Sequence, residues 1–292
     1  MRYRVTHKTE FIYESQVGIS YNEARLLPRP LQHQQVLSAS MRIDPPPNDL
    51  YERSDYFGNL TSYFSILRPH TELTITAISD VEVGRENLDL ESHKLSWEKV
   101  KDRLRTSKTS EVLEAFQFCL PSPMIRLDQA LYDYAKISFA PDRPLDEAVN
   151  DLMIRIYRDF KYDPEFSTIA TPLAEVMRHR SGVCQDFAHL AIGCLRSQGL
   201  AARYVSGYIE TIPPEGEKRL VGADASHAWF AVFLPEVGWL DYDPTNNQLP
   251  ADRHITVGWG RDYSDVTPLK GVAYGGGEHE LKVAVDVLAQ EG

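Results

Sequence analysis

Arg180-Ser181-Gly182-Val183-Cys184-Gln185-Asp186-Phe187-Ala188-His189-Leu190 reads as a loop that delivers one cysteine to the first turn of a buried helix. Phe187, Leu190, Ala191, Cys194 and Leu195 recur at i, i+3, i+4, i+7 and i+8, the spacing of one packed helical face. Ser181 and Gly182 stand where an N-cap belongs, and Gly199 suits the far end, so a helix is predicted from just before Cys184 to Gly199. A thiol at that start feels the positive end of the helix dipole, which favours thiolate over thiol. Taken alone, a cysteine in a helix is a small buried hydrophobe. That reading suits Cys194, mid-helix on the apolar face, and Cys119 in the apolar run 116–120. For Cys184 the partners downstream decide.

Working outward, Asp146 to Phe160 is amphipathic, with Val149, Leu152, Met153, Ile156 and Phe160 on one face, and Thr171 to Arg180 is a shorter helical segment. After Gly199 the period switches to two. Ala201 to Ile212, Ala225 to Leu234 and Trp239 to Tyr242 read as strands, joined by Pro213-Pro214-Glu215-Gly216 and Pro235-Glu236-Val237-Gly238. Helices followed by strands make an α+β core over residues 141–270. Residues 1–84 read as short strands with turn signals, among them Gly58-Asn59, which predicts an antiparallel β-sandwich acting as scaffold or docking module. His7, His33 and His70 are scattered there as surface or strand-end residues. Residues 85–140 form a linker and helical region. Gly84 to Lys108 is charged and weakly periodic, hence a surface linker, while Ser110 to Leu120 and Leu127 to Phe139 are helical on either side of Pro121-Ser122-Pro123. The Gly275-Gly276-Gly277 loop leads into a last strand within 271–292.

The 292 residues are 42% hydrophobic and 25% charged, a globular composition with room for two domains. A net charge of −11 argues against a nucleic-acid surface or an anionic membrane as partner. Three well-separated cysteines give neither a disulfide framework nor a CxxC pair. The first residues have no apolar core of a signal peptide, and no run approaches a membrane span, so a reducing cytoplasm is the expected compartment. No acidic loop has calcium spacing, and Glu278-His279-Glu280 reads as solvated, so neither metal nor cofactor is expected.

A cysteine nucleophile needs a base and a third group to orient that base. His227 stands among aromatics in Ser226-His227-Ala228-Trp229, and Asp243 ends the strand Trp239-Leu240-Asp241-Tyr242-Asp243. Adjacent antiparallel strands can place the two side by side, and a helix packed on that sheet brings Cys184 to His227. Asp241 competes with Asp243, which is preferred for its place at the strand terminus. The backbone N–H of Cys184 is one oxyanion donor. Tyr162 and Gln185 are candidates for a second, Asp186 caps or pairs near the helix start or orients a loop, and Trp229, Trp239 and Trp259 wall the cleft or pack in the core. A redox pair with Cys194 fails on distance, about 15 Å along the same helix.

Residues 182–188 (GVCQDFA), 227–229 (HAW) and 238–246 (GWLDYDPTN) resemble the three blocks of the transglutaminase-like superfamily core. Residues 254–266 resemble the tail of its bacterial cysteine-protease-like branch, and the N-terminal stretch with Phe57-Gly58-Asn59 resembles the β-rich domain preceding the core there. The resemblance implies a papain-like core with Cys184 as nucleophile, His227 as general base and acid, and Asp243 as orienting carboxylate. It implies acyl transfer at an amide through a thioester, on a peptide or protein substrate. Hydrolysis by a protease or amidase is the first expectation. An amine-acceptor transglutaminase, or a non-catalytic interaction module keeping the fold, are the alternatives.

Overall fold

Strand β1 (Arg2–Ala24) alternates buried and exposed residues and is irregular between Ile12 and Val17. The structure, a computed structural model, describes residues 1–84, 94–211 and 226–290. On the first half of β1, β5 (His70–Val83) pairs along one edge and β13 (His279–Gln290) along the other. On the second half the partners are β4 (Leu60–Ile66) and β12 (Leu269–Gly275). Outside these, β2 (Gln34–Asp44) pairs with β5 and β3 (Asp49–Ser54) with β4, giving one seven-stranded antiparallel sheet. Leu73, Ile75 and Ala77 share one apolar cluster with Ala24, Phe64 and Ile66, so the two halves close over a common core. The C-terminal hairpin belongs to this sheet; the last strand does not stand apart.

The predicted surface linker is in part a helix. Helix α1 (Trp97–Thr106) buries Val100 and Leu104 in the main core, while 85–93 lie outside the described residues. Its charged residues hide a narrow apolar stripe at Trp97, Val100 and Leu104, and the stripe decides. Helices α2 (Ser110–Phe116), α3 (Gln129–Ala135), α4 (Leu145–Asp159) and α5 (Leu173–His179) fall on the predicted segments. They pack around α6 (Cys184–Ser197), in which every residue from Asp186 to Arg196 is buried.

The start of α6 differs from the expected cap. Ser181–Gly182 (β7) instead pairs in parallel with Lys161–Tyr162 (β6), and Val183 occupies the N-cap. The cap hydrogen bond comes from inside the helix, where the Asp186 carboxylate accepts the Val183 N–H at 2.8 Å and the Ser167 hydroxyl at 2.5 Å. Gly182 is needed because a Cβ there would lie 2.8 Å from that of Asp186. At the other end, buried Arg196 donates to the carbonyls of Phe118, Ala202 and Arg261, tying the helix to the segments flanking it.

The core sheet has strand order β10-β9-β8-β11, from β8 (Ala202–Ile209), β9 (Ser226–Leu234), β10 (Gly238–Tyr242) and β11 (His254–Gly260). Tyr204, Ala228, Phe230 and Val232 join α6 in the main core. Tyr208, Ile255 and Val257 instead meet Tyr3, Val5, Val81, Val285 and Val287 of the N-terminal sheet. His7, read as a surface or strand-end residue, is buried at this junction against the Tyr208 hydroxyl, 3.0 Å away. The linker Pro213–Gly216 lies outside the described residues.

Strand β11 would present an open edge, and two amide side chains of the N-terminal domain close it. Gln34 donates to the Thr256 carbonyl at 2.7 Å and accepts the Thr256 N–H at 2.8 Å. Asn59 does the same at Trp259, at 2.8 and 2.9 Å. The Arg29 guanidinium lies 3.4 Å from the Trp259 ring centre, and Arg203 stacks between Trp259 and Trp239 at 3.8 and 4.3 Å.

Candidate active site

Cys184 is the first residue of α6 and is partly exposed at the end of an otherwise enclosed helix. His227 is the second residue of β9, and its ring stands close enough to the Cys184 thiol for the two to interact electrostatically. On its other side, His227 Nε2 lies 2.8 Å from Asp243 Oδ2. Asp243 follows directly on β10 and is wholly buried. Its Oδ1 accepts the backbone N–H groups of Thr245 and Asn246 at 3.0 and 3.2 Å, an Asx-type turn. Its Oδ2 accepts the Asn246 amide at 2.8 Å and His254 Nε2 at 3.1 Å, besides His227. The structure therefore brings Cys184, His227 and Asp243 into one chain of contacts. Asp241 points elsewhere, accepting the Trp229 indole N–H at 3.2 Å.

The electrostatics follow from that wiring. Burial alone would raise the Asp243 pKa, but the donors His227, His254 and Asn246 outweigh it and hold the carboxyl far below the usual range. Burial alone would lower the His227 pKa, but its hydrogen bond to Asp243 and its interaction with Cys184 prevail and raise it to about 10. The imidazolium form is thereby favoured. Burial pushes the Cys119 thiol up to about 12 and moves Cys194 in the same direction, so both suit a packing role.

The remaining predicted residues separate. Tyr162 is 53% exposed and stands beside Cys184; its pKa is raised by burial first and then by the Cys184 charge. Gln185 is half-buried on the first turn, and its amide has no hydrogen bond to His227 or Asp243 among the described residues. Asp186 is the helix cap; its pKa is raised by burial against the hydrogen bonds from Ser167 and Val183. Trp229 is fully buried with its ring centre 6.0 Å from His227 and 5.2 Å from His254, so it supports the two imidazoles from below and walls no cleft. Trp239 and Trp259 lie in the arginine stack.

Sequence reasoning missed His254 and Asn246. His254 opens the segment resembling the bacterial branch, which is the signal that could have found it. The donor atoms of His227, Asp243 and His254 lie within 4.8 Å of one another, a set that a transition metal takes. Ligand atoms around a tetrahedral zinc stand about 3.3 Å apart. The 2.8 and 3.1 Å separations here are those of shared protons, and the Asn246 amide fills a further side of the same oxygen.

One glycine makes this support possible. Gly207 of β8 pairs with His227, and a Cβ on it would stand 2.2 Å from the Ile255 carbonyl oxygen and 2.6 Å from the Trp229 indole. Gly207→Ala is expected to cost about 3 kcal/mol or more, since a strand carbonyl cannot yield, and to weaken the His227 contacts. Urea denaturation of the purified variant measures it.

A fold of this kind, with a cysteine opening a buried helix against a sheet that carries histidine and aspartate, defines the papain-like class of cores. Residues 3–82 match the bacterial transglutaminase-like N-terminal region, and residues 134–244 match the transglutaminase-like superfamily. An uncharacterised protein of Mycobacterium tuberculosis (strain H37Rv) is 44% identical over 296 aligned positions, covering 100% of this chain and 94% of the relative. A Pseudomonas aeruginosa protein-glutamine gamma-glutamyltransferase is 32% identical over 107 positions, 34% of this chain but 16% of that protein. The fold matches a solved structure from Cytophaga hutchinsonii, described as a candidate cysteine protease, with a TM-score of 0.74 at 19% identity, covering 100% of this chain and 92% of that one. The chain belongs to the transglutaminase-like superfamily and carries its bacterial N-terminal region. No helix among the described residues is long and apolar enough to cross a membrane.

Proposed function

We propose that this protein is a cysteine-dependent acyl-transfer enzyme acting on amide bonds of peptides or proteins, with water as the usual acceptor. The observation that supports it is the chain of contacts from the Cys184 thiol through His227 to a buried, fully hydrogen-bonded Asp243. Cys184 Sγ attacks the carbonyl carbon and a C–S bond forms, while the thiol proton rests on His227. The backbone N–H of Cys184 stabilises the oxyanion at the helix start. His227 then gives its proton to the departing nitrogen as the C–N bond breaks, leaving a thioester and a free amine or ammonia. Water, deprotonated by His227, cleaves the thioester to a carboxylic acid and restores the thiol.

The partial relative named as a glutamyltransferase favours a second reading, in which a primary amine takes the acyl group. Incubating the protein with glutamine-containing peptides, with and without a primary amine, and weighing the products separates the two. Acid products support hydrolysis, amine adducts support transfer, and either must vanish in Cys184→Ser. Product that persists in Cys184→Ser would sink the thioester mechanism.

A further inference from the structure

We infer that His254 is a positioning residue that holds the Asp243 carboxylate for His227, an inference that rests on the Cys184–His227–Asp243 reading. His254 opens β11, at the far edge of the sheet from β10, which carries Asp243 at its end. It reaches the same oxygen as His227, Nε2 to Oδ2 at 3.1 Å against 2.8 Å. Both partners are enclosed: His254 is 5% exposed and Asp243 0%. The two imidazole ring centres stand 6.0 Å apart, flanking one carboxylate oxygen. His254 Nδ1 has no hydrogen-bond partner among the described residues, so the ring's hydrogen bonding is committed to Asp243. Trp229 packs edge-on against the ring, and that fixes its orientation.

The carboxylate is thus held from two edges of the sheet at once. The Asx turn fixes Oδ1 from the β10 side, and His254 fixes Oδ2 from the β11 side. Two residues beyond His254, Gln34 of the N-terminal domain clamps Thr256 in place. Through β11 the N-terminal domain therefore bears on the geometry of the site. Removing the His254 donor leaves Oδ2 with one charge-assisted hydrogen bond fewer, and the carboxylate grips the His227 imidazolium less firmly.

The test titrates the His227 ring by NMR in the full chain, its signal assigned by its loss in His227→Ala, alongside the rate of Cys184 alkylation by iodoacetamide. His254→Phe keeps the ring volume without a donor, and His254→Asn is polar but too short to reach. His254→Gln presents an amide N–H where Nε2 stands. In His254→Phe and His254→Asn the His227 inflection is expected to fall by about one pH unit and the alkylation rate at pH 6 about tenfold. His254→Gln is expected to stay within about threefold of wild type. Should His254→Phe fail to fold, the Asn and Gln pair carries the comparison at equal polarity. Equal His227 inflections in Asn and Gln variants would overturn the inference. A wild-type alkylation rate untouched by His227→Ala would instead sink the triad reading, and the inflection would still report on His254.

Discussion

Replacing His227 with alanine is expected to lower the rate of Cys184 alkylation by iodoacetamide at pH 6 by about a hundredfold. An ordinary free thiol, with a pKa of about 8.5, is only about 0.3% ionised at that pH. In wild type the His227 pKa is raised to about 10 by Asp243 and Cys184 against the effect of burial, so the ring stays an imidazolium beside the sulfur through neutral pH. Labelling should fall on Cys184 before Cys119 and Cys194, whose thiols burial holds protonated. Equal, slow labelling of all three, unchanged in His227→Ala, would favour an interaction module that keeps the fold without the chemistry.

Asp243→Asn carries the second large effect. The substitution removes the charge and turns one oxygen into an N–H₂ donor that faces other donors. Turnover dependent on Cys184 is expected to fall by about three orders of magnitude or more, because His227 loses the partner that sets its tautomer. Asp243→Ala goes further and strands the two imidazoles, the Asn246 amide and two backbone N–H groups in a buried place, at a cost beyond about 4 kcal/mol. The pH dependence of stability follows with its sign. His227, raised on folding, contributes fully below about 6.5 and loses its contribution as pH climbs toward about 10. Asp243, depressed on folding, contributes fully above its ordinary value of 3.8 and loses its contribution as pH falls. Urea midpoints of wild type should therefore decline on both sides, and Asp243→Asn should flatten both limbs. A wild-type profile level from pH 7 to 10 would contradict the strong His227 contacts.

The site was legible where residues close in sequence share one element. Cys184 declares itself through the helical period after it, and His227 and Asp243 through strand ends that face each other. The N-cap falls on Val183 and not on Ser181 or Gly182, which form a short parallel pair with 161–162, while the capping expected of Asp186 is what serves the helix start from inside. Helix α1 was obscured because charge dominates its composition while only Val100 and Leu104 are buried. His254 escaped because its meaning lies in a contact across the sheet, and register between distant strands leaves no local pattern. The same reason hid the pairing of the C-terminal hairpin with β1, and the part that Gln34 and Asn59 play at the edge of β11.

The pairing of β1 with both β5 and β13 orders events on the ribosome. The β5 edge is available early, but β13, the partner of the other edge, is made only after residues 84–278. At roughly 5–20 residues per second, about 10–40 s separate the two. During that interval the whole transglutaminase-like core emerges while the first half of β1 waits with one row of backbone groups unclaimed. An unclaimed strand edge is a template for any other chain nearby. Two ribosomes on one message would hold such edges side by side, so the stage at which this protein is most exposed to mispairing comes before β13 has been translated.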